Sequence, residues 1–264
     1  MPRSMWSGSI SFGLLNVPVK MAAAVQEKQV RFHLLHDDDG VRLESKRVCP
    51  QDGQEVPWDH VAKGYEISRG EYIVFTKDEL EALESESNRA IELEDFVDAK
   101  EIDPLFYDTP YYLIPDERSA KAYRLLLDAM ASAKRVGIAR VVLHGKEHLV
   151  AVRPHDDVLV MATLHYADEV VPASRVTEEL PASAKPSEKE LRMAKEIVET
   201  LSGPFEPKKY KDAHRARLLE AIEEKAKGKK VVAHAAPRPK KQAKDLLKAL
   251  EASLAHARRK GKKP

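Results

Sequence analysis

The sequence has one cysteine in 264 residues, which excludes a disulfide framework within the chain and a structural zinc held by four thiolates. Such usage suits a reducing cytoplasm, and the protein is expected there. Long apolar runs are also missing. Gly8, Gly13, Asn16, Pro18 and Lys20 interrupt the N-terminal stretch, so it is not a secretory h-region, and no other run approaches the roughly 20 apolar residues that a membrane helix needs. No membrane partner is expected. Equally absent are GxxxxGK[ST], a strand-borne GxGxxG, HExxH and GxSxG. Nothing local points to nucleotide binding or hydrolysis; this leaves an enzyme of unfamiliar pattern open, though no enzymatic activity and no cofactor are expected.

What is present is charge, strongly segregated. The overall net charge is only +1, yet residues 225–264 hold 14 Lys or Arg against 2 Asp or Glu, leaving a net of −11 on residues 1–224. A basic tail on an acidic body is a common arrangement for binding a polyanion, and nucleic acid is the expected partner.

From residue 7 to about residue 170 the pattern is short, alternating and β-branched. "SGSISFG" at 7–13, "GEYIVFT" at 70–76, "RAIELEDFV" at 89–97 and "PYYLI" at 110–114 read as strands. From Gly137, turns at His144-Gly145-Lys146 and His155-Asp156-Asp157 separate three antiparallel strands, so the architecture is a barrel or a sandwich. Two helices interrupt them. Thr76 and Glu79 form a capping box, and "DERSAKAYRLLLDAMASAKRVG" puts Tyr123, Leu126, Leu127 and Met130 on one face, with Gly137 as the expected stop.

After Pro186 the texture becomes helical. Ser187 and Glu190 form another capping box ahead of an apolar stripe of Leu191, Ala194, Ile197, Val198 and Leu201, and a second helix over 212–226 is expected to bury Leu218, Leu219 and Ile222. Residues 227–241 read as a linker. Leu246, Leu247, Leu250 and Leu254 then recur at helical spacing in a short amphipathic helix, a docking element at the end of a basic arm.

Two side-chain groupings have the composition of metal sites. Cys49, Asp52 and His60 offer three zinc ligands, and His33, His36 and Asp37 to Asp39 suit a harder cation. Against the first, an aspartate is an uncommon partner in a zinc knuckle; against the second, Asp38-Asp39-Gly40 is an ordinary turn. No metal is expected. The stretch "RLESKRV" from Arg42 is charged on both faces of an extended segment, yet residues 26–70 hold 7 basic and 9 acidic residues. Charge counting alone does not favour phosphate binding there.

"MWSGSISFGLLNVPVK", Met5 to Lys20, resembles the opening of the bacterial Ku proteins, W-x-G-x-I-x-F-G-L-x-x-x-P-V, and Trp6, Gly8, Ile10, Phe12, Gly13, Leu14, Pro18 and Val19 all fit. The likeness continues through "KRVC", "GEYIVFT", "YYLIPD", "KAYRLL", "LHYADEV", "LRMAK" and "PFEPKKYKD". The resemblance implies a mixed α+β fold: an antiparallel β-barrel over residues 1–180 with an extended bridge over about 27–70, a helical arm over 181–228 and a lysine-rich tail over 229–264. It also implies a homodimer whose two bridges close a ring around a double-stranded DNA end in non-homologous end joining. Some bacterial members have Cys-x-x-Cys where this chain has Cys49 to Asp52, a departure that removes a zinc ligand.

Carried over by the resemblance, phosphate contacts fall to Lys20, Arg31, Arg42, Lys46, Arg47, Lys63 and Arg69. In the tail they fall to Lys227, Lys229, Lys230, Lys240, Lys241, Arg258, Arg259 and Lys260. A multifunctional ATP-dependent DNA ligase is the further partner implied, docking on Leu246, Leu247, Leu250 and Leu254. Two other readings compete: a metal-dependent nuclease using residues 33–39, and a non-catalytic scaffold whose basic tail binds RNA or anionic surfaces.

Overall fold

The computed structural model describes residues 4–83, 89–177, 180, 185–228 and 246–260, with only the backbone of Lys260. The chain forms two compact units, Met1–Lys28 with His33–Arg175, and Gln29–Phe32 with Val176–Pro264.

The first unit is built on a closed barrel. Its strands are β1 (Ser4–Phe12), β2 (Leu15–Ala23), β5 (Ala90–Asp98), β6 (Tyr107–Pro115), β7 (Arg135–Leu143), β8 (Lys146–His155) and β9 (Val158–Leu164), in the spatial order β1-β2-β6-β9-β8-β7-β5. Every neighbouring pair is antiparallel except the closing one, where β1 and β5 run parallel with Ile10 opposite Ile91. A separate two-stranded sheet, β3 (Lys63–Ser68) with β4 (Glu71–Phe75), lies in the excursion between β2 and β5.

The period of two decides which side chains fill the barrel. Ala139 and Val141 of β7, Val150 and Val152 of β8, and Leu159 and Met161 of β9 join Ile10, Val19, Met21, Ile91 and Leu113 in one buried cluster. The alternate residues Val136, Ala151 and Leu164 form a second cluster with Phe106 and Tyr107. Strand β9 is therefore buried on both faces, which explains its near-continuous apolar run, whereas β7 is covered only in part on its second face, where Arg140 is exposed. The hairpin between β7 and β8 turns through His144 and Gly145, both at positive φ (53° and 79°), as a two-residue connection requires.

Helix α1 (Lys77–Leu83) follows β4, and α2 (Ala120–Ala133) follows β6. The four residues of the expected α2 face, Tyr123, Leu126, Leu127 and Met130, are all buried in the barrel cluster. Its end differs from expectation. The helix stops at Ala133 with Lys134 in the left-handed conformation (φ 53°), and Gly137 lies inside β7. Gly137 serves close packing there, since a Cβ would sit 2.5 Å from the Leu93 side chain. Tyr123 ties the helix to two strands at once. Its hydroxyl donates to the Leu113 carbonyl at 2.6 Å and accepts from the Leu159 amide at 2.6 Å, and burial pushes the phenol above its ordinary pKa.

Beyond β9 lie α3 (Ala173–Thr177), α4 (Glu188–Leu201), α5 (Ala213–Ala226) and α6 (Leu246–Lys260). The Ser187 to Glu190 box starts α4 as expected. The expected core of α5 is not formed: Leu218 is half-buried, while Leu219 and Ile222 are exposed. No described helix is long and apolar enough to cross a membrane.

Replacing Tyr123 by Phe removes one hydroxyl and strands two buried backbone groups, so denaturant unfolding should show a loss of about 1–3 kcal/mol. An unchanged midpoint would mean that the strands do not rely on that hydroxyl. The capping boxes give a pH signature. Hydrogen bonds from the Thr76 amide and then its hydroxyl hold Glu79 below the usual carboxylate range, as those from the Ser187 hydroxyl and then its amide do for Glu190. A carboxylate depressed in the folded state stabilises above its unfolded value, and that contribution fades as pH falls through the folded value. Amide protection over residues 188–201, taken relative to the intrinsic exchange rate at each pH, should fall on such acidification, and Glu190→Gln should flatten the dependence.

Candidate nucleic-acid interface

Between the buried residues Ala22 and Ile91, no described residue is buried. The excursion from β2 to β5 therefore has no core of its own, and backbone pairing gives it form. It contains three hairpins. In the first, the His36 amide donates to Val41 and the Leu43 amide to Leu34 (2.8 and 2.9 Å), around a turn completed by Gly40 at φ 72°. In the second, Cys49 donates to Gln54 and Val56 to Arg47 (2.9 and 2.8 Å), around Gly53 at φ 72°. The third is β3 with β4, turning at Gly70 (φ 83°), whose amide donates to the Glu66 carboxylate at 2.9 Å.

The expected phosphate contacts differ in their surroundings. Lys46 donates to Glu55 at 2.7 Å, and this hydrogen bond raises the lysine above its ordinary pKa. The Arg47 guanidinium carbon lies 3.8 Å from the ring centre of Trp58, and its Nε donates to the Val56 carbonyl at 3.3 Å. Trp58 is a site residue that the sequence does not announce; with the ring eleven positions from the arginine, no helix or strand period links them. Arg42, Lys63 and Arg69 are exposed and have no ion pair among the described residues. Arg42 is bridged to Leu35, and Lys63 lies opposite Phe75. Lys20 is exposed on β2 between Ser7 and Ile114, and Arg31 is exposed in the second unit.

The ribbon formed by β3 and β4 also shows bare apolar side chains on both faces. Register puts Tyr65 opposite Ile73 on one side, and Gly64 opposite Val74 and Glu66 opposite Tyr72 on the other. Tyr65, Ile67, Tyr72, Ile73 and Val74 are all about half exposed or more. An isolated two-stranded ribbon is marginal at best in water.

Cys49, Asp52 and His60 do not converge. The Asp52 carboxylate accepts from the Gln54 amide at 3.0 Å and so shapes the turn. Among the described residues, the one grouping of ligand atoms close enough for a shared ion is His36, Asp37 and Asp38, all exposed; His33 is not part of it. His36 is itself hydrogen-bonded to Asp39 at 3.0 Å.

In the second unit, α6 packs on α4. Leu247, Leu250 and Leu254 are half-buried on the face that carries the buried Ala257, while Leu246 is exposed. Arg258 is ion-paired with Glu196, and Arg259 and Lys227 are exposed. The expected tail contacts Lys229, Lys230, Lys240 and Lys241, and the side chain of Lys260, lie outside the described residues.

The family model for the Ku70/Ku80 beta-barrel domain matches residues 11–193. The chain belongs to the Ku family. The Non-homologous end joining protein Ku of Anaeromyxobacter sp. (strain K) is 48% identical over 262 residues, covering 99% of this chain and 88% of that relative. Its counterpart from Archaeoglobus fulgidus is 40% identical, with 96% and 98% covered. That of Bacillus subtilis is 36% identical, with 97% and 83% covered. The Ku match begins at the end of β1 and takes in the other six barrel strands, the whole excursion from β2 to β5, and the first part of α4.

Within this Ku chain the second hairpin holds its shape through backbone pairing and the Asp52 turn, with no convergence of Cys49 on His60. Thermal stability should therefore be the same before and after treatment with a strong chelator. A large drop accompanied by stoichiometric zinc in the untreated protein would show that Cys49 binds metal.

Proposed function

We propose that this Ku protein binds the ends of double-stranded DNA without regard to sequence, for non-homologous end joining, as a homodimer in which the two excursions close a ring. The observation that carries the reading is the excursion itself. Among its described residues none is buried, its β3 and β4 ribbon is apolar on both faces, and Arg42, Lys63 and Arg69 have no ion pair. A second copy laid against it supplies the missing apolar partner, and free cations suit phosphate oxygens. The names of the relatives supply the process.

The mechanism is topological. A preformed ring that grips only the sugar-phosphate backbone reads no base edges, so it loads at a free end and slides inward without ATP or any catalytic residue. Arg42, Lys63 and Arg69 are the principal phosphate ligands in this reading, with Lys20 of the same unit as a further one. Lys46 and Arg47, engaged by Glu55 and Trp58, chiefly hold the second hairpin in shape. The second unit recruits an ATP-dependent DNA ligase, with the leucine face of α6 as its docking element.

The test is a salt titration of binding to linear and to covalently closed DNA of equal length. Wild type should prefer the linear form. Replacing Arg42, Lys63 and Arg69 together by alanine should weaken linear binding and reduce the log–log salt slope by about 1 for each phosphate no longer neutralised, whereas Lys46→Ala should act mainly on stability. Sedimentation should show a dimer. Equal binding of both DNA forms by wild type, or a folded monomer at micromolar concentration, would sink the ring.

A further inference from the structure

The leucine-rich helix at the end of the chain is not free. Helix α6 lies on α4, with Ala257 only 3% exposed and Leu247, Leu250 and Leu254 half-buried around it. On α4 the half-buried residues Met193, Ala194 and Ile197 share one face. The leucines that a partner would grip are thus turned toward their own chain.

The seat is incomplete and charge-dependent. Leu191, Val198 and Leu201 of α4 stay 47%, 65% and 61% exposed, and Leu246 stays 57% exposed. Only part of each apolar stripe is covered, so burial alone holds α6 weakly. The ion pair that joins the helices, Arg258 to Glu196, has both side chains substantially exposed to solvent, where such pairs contribute little and are screened by salt. Glu196 also lines an open groove along α4 with Glu188, Leu191, Arg192, Lys195 and Glu199. On the other side of the pair, Arg258 is followed by Arg259, and both are exposed. A polyanion attracted by these residues competes directly with Glu196.

We propose that α6 is a removable cover on α4: seated in the free protein, and lifted when a polyanion takes up Arg258 and Arg259 at its end. Lifting exposes two complementary surfaces at once, the leucine face of α6 and the apolar face of α4. Partner docking on either is thereby confined to protein already on DNA. The inference rests on the DNA-binding reading only for the identity of the natural polyanion.

Amide hydrogen exchange of the full chain over residues 188–201 tests this. Ala257→Asp places a charge in the seat and gives the rate for uncovered α4. Glu196→Gln should speed exchange by about two- to fivefold relative to wild type, and the exchanged pair Glu196→Arg with Arg258→Glu should restore the slower rate. Raised salt, heparin and a short linear duplex should each move wild type toward the Ala257→Asp rate. Identical exchange in wild type and Ala257→Asp overturns the cover, as does a bound polyanion that leaves the rate unchanged. A duplex that fails to bind while heparin lifts the helix overturns the end-binding reading and upholds the cover.

Discussion

The close approach of β1 to Arg89 is the contact on which the first unit depends. The Ser9 amide donates to the Arg89 carbonyl at 3.0 Å, and a Cβ on Gly8 would lie 2.1 Å from that oxygen and 2.3 Å from the Trp6 ring. Only glycine fits. From this point β5 runs parallel to β1, Ser9 to Ser11 beside Ala90 to Glu92, and the barrel closes. Strand β2 has already returned antiparallel to β1, so closure asks only for a connection that passes the start of β1. The excursion between β2 and β5 is an addition to that connection, and it is the segment the proposed function uses. Its length adds little to the entropy of closing the loop, because that cost grows only with the logarithm of length.

Order is distributed unevenly as a result. The barrel has its own core, sealed on one side by α2, and Tyr123 fastens that helix across β6 and β9. The excursion has hairpins whose turns are set by Gly40, Gly53 and Gly70, and whose faces remain bare. A rigid body that carries a ribbon unable to satisfy itself is suited to the proposed assembly: the ribbon keeps its register through backbone pairing, while its side chains stay uncovered.

Much of this was legible in the residues. The three-strand run from Gly137, the buried face of α2 and the capping boxes at Thr76 and Ser187 follow from local periodicity and hydrogen-bond chemistry, and they stand in the structure. What failed to show depends on distant partners. Strand β2 carries Pro18, a residue that argues against a strand with neighbours on both sides, yet Pro18 lies beyond the β6 ladder, and its carbonyl accepts from the Ser119 hydroxyl at 2.7 Å and the Asp116 amide at 3.2 Å. Gly137 reads as a helix stop because its true constraint, the Leu93 side chain, is more than forty residues away. The apolar residues of α5 read as core because spacing reveals a face but not whether anything covers it.

The excursion also shows why a charge count misleads. Residues 26–70 hold more acidic than basic side chains, which on its own argues against a polyanion as ligand. Four of those nine acids, however, are committed to local structure. Asp39 accepts from the Val41 amide, Asp52 from Gln54 and Glu66 from Gly70; just beyond, Glu71 accepts from the Ser68 hydroxyl, and Glu55 takes Lys46. Each is pinned at a turn or on a cross-strand pair, where its position is set by folding. Among the described residues, nothing comparable pins Arg42, Lys63 and Arg69. A flexible cation can follow a phosphate, whereas a carboxylate held by a turn cannot move to intercept it, so what decides whether the ribbon receives DNA is where the charges are free, not their sum.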